Sequence, residues 1–252
     1  MIDFFSSLSS LDWFVYVGDT IIVMVVLQAL RMIIKLSRNK FLGLTTKPFA
    51  CAGSGGKRVL ILGDSTAVGT GASRPEDTIA GRLATDYPDA EIINVAQNGG
   101  LVRDLPKQIE VMLGQQFDLI IVSVGGNDVW HLTSIRKIQQ VLQTVLPQLN
   151  ELCKHRVLFL LYNNIGSAPL FPGIMRGFLK RRCIRVQEAI AETALAYDVP
   201  TIELFNEDER NPFIKNPNQL FAFDGVHPSS DGYRLWYHRM WRIMHENGYR
   251  FD

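Results

Sequence analysis

The chain has 252 residues, of which 47% are hydrophobic and 20% charged, and its formal net charge at pH 7 is +1. This composition is typical of a globular protein with a sizeable core, and the balanced charge argues against a nucleic-acid-binding surface. The three cysteines are far apart and give neither a disulfide framework nor a CxxC pair, and the five histidines lack the spacing of metal ligands. We therefore predict a globular protein of a reducing compartment, with no metal and no other cofactor.

The first predicted element is an apolar helix. Residues 13–30 contain few polar side chains, Asp19 among them, and are about long enough as a helix to cross a bilayer core. Four basic residues follow this stretch: Arg31, Lys35, Arg38 and Lys40. We predict membrane association through residues 13–36. The helix either spans the bilayer, with the basic flank and the rest of the chain on the cytoplasmic side, or lies along the interface, because Asp19 is costly to insert. A helix buried in the globular domain is the third possibility.

The chain after this helix divides into a linker and a larger domain. Residues 45–57 are rich in glycine and other small residues and lack an apolar period, which favours a linker. We therefore predict a membrane-associating segment at 1–44, the linker at 45–57 and a catalytic domain at 58–252.

From residue 58 onward, short apolar runs alternate with helical patterns. We predict strands at 58–63, 90–96, 117–125, 155–162 and 198–204. We predict helices at 78–86, 102–113, 135–151, 178–197 and 230–247. Strands that are apolar throughout suit a sheet covered on both faces, so the pattern predicts a three-layer α/β/α sandwich with a parallel five-stranded sheet. In such sheets ligands bind at the carboxyl ends of the strands.

A serine follows the first predicted strand. Gly63, Asp64 and Ser65 end that strand where a helix can begin. A serine hydroxyl is a weak nucleophile unless a base removes its proton, and Ser65 taken alone is equally typical of a helix cap. The G-x-S-x-G pattern of common α/β-hydrolases is absent, because Ala67 stands at the position of its second glycine.

Two more strands end in residues that are suited to donate hydrogen bonds. Gly99 and Gly100 follow the second strand and leave a backbone N–H uncovered, while Asn127 follows the third strand and offers a side-chain amide. Each is ordinary turn chemistry when taken alone. Because parallel strands end at one edge of the sheet, we expect these groups to lie near Ser65.

The loop before the last helix contains Asp224 and His227, three positions apart. A carboxylate bound to one ring nitrogen of a histidine fixes its tautomer and leaves the other nitrogen to act as a base. The alternative is that Asp224 caps the following helix and that His227 is a surface residue. Together with Ser65 and the donors, this pair predicts acyl transfer.

Four short segments resemble the sequence blocks of the SGNH, or GDSL, hydrolase family, in order and in rough spacing. They are GDS at 63–65, the glycine at 99 five residues after Asn94, GGND at 125–128 and DGVH at 224–227. The resemblance covers about residues 58–245 and points to the small bacterial esterases and arylesterases of that family.

This resemblance implies a flavodoxin-like α/β/α sandwich and a serine esterase that needs no cofactor. It also implies that Ser65 is the nucleophile, His227 the base and Asp224 the residue that orients it. Ser65, Gly99 and Asn127 are then expected to form the oxyanion hole, and the choice between Gly99 and its neighbour Gly100 stays open.

The segments expected to border the site are apolar. Residues 166–182 and 206–223 lead into the predicted site, and four of their side chains are candidates for substrate binding: Phe171, Met175, Phe221 and Phe223. An apolar rim suits an acyl chain better than a sugar, so we expect a small-molecule ester with a lipid-like acyl group. Two alternatives are open: an O-deacetylase of carbohydrate or cell-envelope polymers, and a non-catalytic membrane-tethered binding module. The sequence does not fix the oligomeric state.

Overall fold

The computed structural model describes residues 10–161, 165–204 and 211–248 of the chain. Several predictions extend past these limits. Outside the described residues lie the start of the N-terminal segment (1–9), the last residue of the fourth predicted strand (162), part of the second rim segment (206–210) and the C-terminal residues 249–252.

In the described part of the chain, five strands form one sheet in the order β2-β1-β3-β4-β5, and every neighbouring pair is parallel. The strands are β1 (Arg58–Gly63), β2 (Glu91–Asn94), β3 (Phe117–Ser123), β4 (Cys153–Leu161) and β5 (Thr201–Glu203). This arrangement confirms the predicted parallel five-stranded sheet. The first strand, β1, lies inside the sheet, with β2 on one side of it and β3, β4 and β5 on the other. Because the connections after β1 lead to opposite sides, a crevice opens at the carboxyl ends of β1 and β3. Gly63 pairs with Ser123, so these two strands end at the same level.

Ten α-helices are present in the described residues. They are α1 (Ser10–Thr45), α2 (Ser65–Val68), α3 (Ile79–Asp86), α4 (Leu105–Glu110), α5 (Gly126–Trp130), α6 (Ile135–Leu152), α7 (Gly173–Leu195), α8 (Pro212–Lys215), α9 (Pro217–Leu220) and α10 (Ser230–Glu246). Helix α6 packs against α4 and α7, whereas α3 packs against α10. Every residue of β1 after Arg58 is buried, as expected for a central strand covered on both faces.

Several boundaries differ from the predicted ones. The predicted helix at 102–113 is a 3₁₀ turn (Val102–Asp104) followed by the short α4, in whose first turn Pro106 lies. Helix α7 begins at Gly173, five residues before the predicted start at 178. Gly173 and Gly177 have low helix propensity, and for that reason the sequence pattern did not indicate this first turn.

The predicted linker lies along the edge of the sheet. Cys51 forms an antiparallel bridge with Ile92 on β2, with N–O distances of 3.1 and 2.9 Å. Further on, the Gly55 N–H donates to the Asp89 carbonyl at 2.8 Å. These bonds fix the path of residues 45–57 between α1 and β1.

Helix α1 has two halves with different surroundings. Nearly all side chains between Trp13 and Leu30 are exposed, which is not the pattern of a helix buried in the globular domain. By length and composition, Trp13–Thr45 is the one helix among the described residues that is long and apolar enough to cross a membrane. The second half contacts the part of the chain that carries the sheet, where Asn98 Nδ2 donates to the carbonyls of Gly43 and Thr46 at 2.9 and 3.1 Å.

Candidate active site

Ser65 lies directly after β1, where Gly63 and Asp64 turn the chain into α2. Gly63 has a φ of +136°, and a Cβ there would lie 1.9 Å from the carbonyl oxygen of Ser123, so only glycine fits. The Oδ1 of Asp64 caps α2 by accepting hydrogen bonds from the Thr66 N–H at 2.9 Å and the Thr66 hydroxyl at 2.7 Å. This turn holds Ser65 at the first position of α2.

Asp224, His227 and Ser65 form a continuous chain of hydrogen bonds. The Nε2 of His227 lies 2.8 Å from the Ser65 Oγ, and its Nδ1 lies 2.6 Å from the Asp224 Oδ2. Asp224 is fully buried and His227 is 7% exposed. With its proton on Nδ1, His227 donates to Asp224 and accepts the Ser65 hydroxyl through Nε2, which is the tautomer that can take the serine proton.

The loop around Asp224 holds its carboxylate in the charged form. Its Oδ1 accepts hydrogen bonds from the backbone N–H groups of Val226 and His227, at 3.0 and 3.1 Å. Burial acts to raise the pKa of Asp224, but the hydrogen bond and charge of His227, together with the two N–H groups, outweigh it and lower the pKa below its ordinary value. The carboxylate is therefore ionised at neutral pH.

Gly71 supports the histidine loop from the opposite side, a role that the sequence reasoning missed. Its φ is +100°, and a Cβ at this position would lie 2.4 Å from the Pro228 carbonyl oxygen and 2.8 Å from the His227 Cβ. Glycine is therefore required at residue 71 both for its backbone conformation and for the close approach of the loop that carries His227. The signal in the sequence was the pair of glycines at 69 and 71, shortly after Ser65.

Three candidate oxyanion donors follow the carboxyl ends of β1, β2 and β3: Ser65, Gly99 and Asn127. Ser65 and Asn127 line the same cavity, and Asn127 Nδ2 donates one of its hydrogens to the Gly100 carbonyl at 3.0 Å, which leaves the second hydrogen for a ligand. Gly99 lies next to this contact, is exposed and has a φ of +76°, but it is not among the residues that line the cavity. The Gly100 N–H donates to the Gln97 carbonyl at 3.0 Å, whereas the Gly99 N–H has no partner among the described residues. Among the described residues the Gly100 N–H therefore already has an acceptor, and the assignment of Gly99 as an oxyanion donor stays a prediction.

Two buried aspartates next to the site bind backbone groups. Asp64 caps α2, and the Oδ2 of Asp128 accepts a hydrogen bond from the Val102 N–H at 2.9 Å. These bonds are those expected of structural carboxylates. Burial raises the pKa of Asp64 to about 6, although the Thr66 hydrogen bonds and the nearby His227 act to lower it. Burial also raises the pKa of Asp128.

A cavity of about 150 Å³ opens beside Ser65 and His227. Its polar wall includes Ser65, His227 and Asn127, and its apolar wall is formed by side chains from several loops and helices: Trp130, Ile165, Leu170, Phe171, Phe221 and Val226. Phe171 and Phe221, two of the predicted substrate-binding residues, line this cavity, and their role in binding stays a prediction.

Met175 and Phe223, the other two predicted substrate-binding residues, do not line this cavity. Met175 packs half-buried against the core, and Phe223 is 55% exposed at the surface. Both are in segments that border the site, but an apolar side chain in a loop carries no periodic signal that indicates which way it faces.

Two residues of α1 complete the cavity, and the sequence reasoning missed both. Leu36 and Asn39 line it, and Asn39 Nδ2 lies 3.5 Å from the Oδ2 of Asp224. Nearby, Lys35 donates to the Pro169 carbonyl and Arg38 donates to the Phe223 carbonyl at 3.3 Å. The sequence pattern indicates a helix here but contains no signal for its contact with a loop more than 180 residues away.

The described residues contain no cluster of three or more His, Cys, Asp or Glu side chains that is arranged to hold a metal ion.

The SGNH class of hydrolase folds is defined by a serine at the end of the first strand of a parallel sheet. This serine is hydrogen-bonded to an Asp–His pair that lies just before the last helix. The sequence model of the GDSL-like Lipase/Acylhydrolase family matches residues 61–235 of this chain. The chain belongs to this family, as the sequence motifs predicted. No curated protein sequence gives a significant match.

Solved structures with low sequence identity share the fold. A lipolytic protein of the G-D-S-L family from Veillonella parvula has a TM-score of 0.60 at 16% identity, with 74% of this chain and 97% of that chain covered. The psychrotrophic esterase EstA from Pseudoalteromonas sp. has a TM-score of 0.59 at 16% identity, with 77% and 100% covered. An acetyl xylan esterase from Geobacillus stearothermophilus has a TM-score of 0.54 at 20% identity, with 76% and 95% covered. At these identities, the likeness establishes the fold.

Proposed function

We propose that this protein is a serine esterase that hydrolyses carboxylic esters through an acyl-enzyme, with an apolar acyl group as its preferred substrate. The observation that supports this most strongly is the buried chain of hydrogen bonds from Asp224 through His227 to Ser65, at 2.6 and 2.8 Å, in a member of an acylhydrolase family. Ser65 is the nucleophile, His227 the general base and Asp224 the residue that orients the imidazole.

The first half of the reaction acylates Ser65. His227 Nε2 takes the hydroxyl proton while Ser65 Oγ bonds to the ester carbonyl carbon, and the carbonyl oxygen becomes negative. The N–H groups of Ser65 and Gly99 and the Asn127 amide stabilise that oxygen. When the carbonyl re-forms, the bond to the alcohol oxygen breaks and His227 gives its proton to the departing alcohol.

The second half regenerates the enzyme. His227 takes a proton from water, whose oxygen attacks the acyl carbon, and the same N–H groups stabilise the second oxyanion. The bond to Ser65 Oγ then breaks, the serine receives the proton back from His227, and the carboxylic acid leaves. Throughout, the lowered pKa of Asp224 keeps a negative charge beside the imidazole that becomes positive in each step.

The walls of the cavity support an apolar acyl group. Phe171 and Phe221 line it together with Leu170 and Trp130, whereas its polar lining includes Ser65, Asn127 and His227. A hydrocarbon chain gains free energy by leaving water for such a surface, at about 25 cal/mol per Å² of apolar area. Sugar hydroxyls would find few hydrogen-bond partners on these walls.

The test is Ser65→Ala in the full chain, assayed with a series of p-nitrophenyl esters from acetate to dodecanoate. We expect hydrolysis to fall to the background rate while the thermal unfolding midpoint stays unchanged. Activity retained in Ser65→Ala would contradict the mechanism. A non-catalytic binding module would instead leave the wild-type chain without esterase activity and unreactive toward a fluorophosphonate probe.

A second candidate is an O-deacetylase acting on carbohydrate or cell-envelope polymers. The structural likeness to an acetyl xylan esterase supports it, at the level of the fold. The same ester series separates the two candidates, because an O-deacetylase is expected to prefer acetate sharply, whereas an apolar acyl pocket predicts a maximum at a longer chain.

We propose further that residues 13–36 associate with a membrane and that the catalytic domain lies on its cytoplasmic side. The exposed apolar half of α1 and the basic residues that follow it support this. The test is protease digestion of sealed cells and of inverted membrane vesicles. We expect cleavage of the catalytic domain only in the inverted vesicles.

A further inference from the structure

Helix α1 is more closely tied to the catalytic site than a simple membrane anchor needs to be. We propose that α1 is a working part of the active site: Leu36 determines which acyl groups fit, and Asn39 is a positioning residue for Asp224. This proposal rests on the esterase function proposed above, and it assigns substrate specificity to a helix that lies outside the region matched by the family model, residues 61–235.

Leu36 lies where it can limit the size of the substrate. Its side chain lines the cavity together with residues of the catalytic domain such as Phe171 and Phe221. A side chain that borders an acyl pocket sets the room available to the acyl chain, as in other enzymes that discriminate among apolar substrates by pocket size.

Asn39 contacts the acid of the hydrogen-bonded chain. Its Nδ2 lies 3.5 Å from the Asp224 Oδ2, the same oxygen that His227 Nδ1 approaches to 2.6 Å. A donor at this oxygen limits the rotation of the carboxylate and so helps to hold the imidazole toward Ser65. Asn39 acts through Asp224 and does not touch the reacting atoms.

Helix α1 is fastened to the loops that surround the cavity. Lys35 donates to the Pro169 carbonyl and Arg38 donates to the Phe223 carbonyl. At the end of the helix, Asn98 binds the carbonyls of Gly43 and Thr46. These contacts fix the second half of α1 over the site, so Leu36 and Asn39 keep defined positions.

The experiment compares Leu36 with Ile33, an exposed residue of the same helix that does not line the cavity. Leu36→Ala, Leu36→Trp, Ile33→Ala and Ile33→Trp are made in the full chain and assayed in neutral detergent micelles across the ester series. We expect Leu36→Ala to shift the preference toward longer acyl chains and Leu36→Trp toward shorter ones, with ratios of kcat/KM changed about fivefold or more. The Ile33 variants should keep the wild-type profile.

Asn39→Ala is measured in the same assay, with Asn39→Gln as the conservative variant. A positioning role predicts a kcat lowered about fivefold with KM unchanged, an unaltered thermal midpoint, and partial recovery in Asn39→Gln. If Ser65→Ala is inactive and the Leu36 and Asn39 variants behave like the Ile33 variants, the proposal about α1 is overturned. If Ser65→Ala is active, the esterase function itself fails.

A second cavity carries an independent inference. It has a volume of about 230 Å³ and lies between α1 and the start of α7, next to the catalytic cavity, with Leu170 and Phe171 lining both. Three cationic side chains line it, Arg31, Lys35 and Arg176, and its lining includes no acidic side chain among the described residues. We infer that this cavity binds an anionic group, a phosphate or a carboxylate.

The positions of these cations indicate which molecule carries the anionic group. Arg31 and Lys35 follow the apolar stretch of α1, so they lie at the level of the lipid head groups if that stretch enters a membrane. Because the two cavities share a wall, an ester bound with its acyl group beside Ser65 can place an anionic head group at Arg176. The inference rests on the esterase function and names its substrate class as anionic amphiphilic esters.

The test removes one cation from each helix. A double variant with Arg31→Gln and Arg176→Gln is compared with a control double variant with Lys40→Gln and Arg185→Gln. The control removes the same number of positive charges from the same two helices, at positions that do not line the cavity. The substrates are a monoacyl glycerol phosphate and the monoacyl glycerol with the same acyl chain, in neutral micelles. We expect the first pair to lower the preference for the anionic ester about tenfold and the control pair to leave it unchanged.

A separate arm adds anionic phospholipid to micelles that contain only the neutral ester. If activation by this lipid is lost in the Arg31/Arg176 pair, while the preference between the two esters is kept, the anionic group is that of a neighbouring lipid rather than of the substrate. Equal behaviour of the two pairs in both arms would overturn the inference. Inactivity of the wild-type chain toward both esters would count instead against the esterase function.

Discussion

The Ser65 Oγ and the His227 Nε2 lie 2.8 Å apart, although 162 positions separate the two residues in the sequence. The sheet explains this contact. Strand β1 is central, so the turn after it faces the loop that enters the last helix, α10. Asp224 lies on the other side of the same imidazole, and its carboxylate is held by two backbone N–H groups of its own loop.

The carboxylate of Asp224 fixes the tautomer of His227, so Asp224→Asn should be strongly impaired. An amide that donates to Nδ1 would favour the tautomer with its proton on Nε2, which cannot accept the serine proton. We expect kcat to fall by about a thousandfold, with little change in KM. Steady-state kinetics on a p-nitrophenyl ester check this, and a loss of less than about fivefold would contradict the assigned role.

Gly71→Ala should disturb the histidine loop. The new Cβ would meet the Pro228 carbonyl oxygen at 2.4 Å and the His227 Cβ at 2.8 Å, in a backbone conformation that alanine rarely adopts. We expect a loss of about 1–3 kcal/mol in the free energy of unfolding and a kcat lowered about tenfold.

The matched control for Gly71→Ala is Gly114→Ala. Gly114 has a φ of +79°, and the Cβ that alanine would add there has no neighbouring atom within 4 Å, so this variant shares the backbone strain without touching the site. Denaturant unfolding and kcat are measured for both variants. An equal kcat in the two variants would show that the contact of residue 71 with the histidine loop does not affect kcat.

Asn127→Ala should slow the chemical step if its amide is an oxyanion donor. The cavity-lining side chain already donates one hydrogen to the Gly100 carbonyl at 3.0 Å, so it is held in place. We expect kcat to fall by about a hundredfold, because a donor aimed at the developing charge acts mainly in the transition state. Asn150→Ala, which removes an exposed amide elsewhere, serves as the control. Equal rates in the two variants would exclude Asn127 from the oxyanion hole.

The raised pKa of Asp64 predicts a change of stability with pH. Its pKa is about 6 in the folded protein, against an ordinary value of 3.8, so between these values the folded state binds more protons than the unfolded state. The free energy of unfolding therefore falls as pH rises from about 4 to about 6, by about 2 kcal/mol from this group, and stays lower above that range. Asp64→Asn should remove this loss.

The measurement is denaturant unfolding of wild type and Asp64→Asn at pH 4 and at pH 8. We expect the variant to gain about 2 kcal/mol relative to wild type between the two values. Asparagine can still accept the hydrogen bond from the Thr66 N–H, so the cap of α2 is retained. Parallel stability changes in the two proteins would show that Asp64 does not titrate in this range.

The strand pattern in the sequence was a good guide to the sheet and a poorer guide to the ends of its strands. Continuous apolar runs predicted five parallel strands, and the structure confirms them. The predicted runs at 90–96 and 198–204 are longer than β2 and β5, because Ala96 and Val199 are buried in loops beside the sheet. Burial selects apolar residues whether or not they join the hydrogen-bonded ladder, so sequence alone does not separate the two cases.

The position of the candidate site could also be predicted in part from the sequence. Ser65, Asn127, Asp224 and His227 were predictable because strand ends and a C-terminal loop meet at one edge of a parallel sheet, and the structure brings them together there. Their catalytic roles stay predictions. The contacts of Leu36 and Asn39 with the site were not predictable. The part of a helix that continues beyond an apolar stretch carries no sequence signal that indicates which distant loop it contacts.

The central claim is that Ser65 becomes acylated, and peptide mass spectrometry tests it most directly. Wild type is treated with a fluorophosphonate probe, digested, and searched for the adduct. We predict one modified peptide, in which the Ser65 Oγ has displaced the fluoride of the probe and carries its phosphonyl group, and no adduct in Ser65→Ala. An adduct on a different serine, or no adduct in a wild-type protein that hydrolyses esters, would contradict the account.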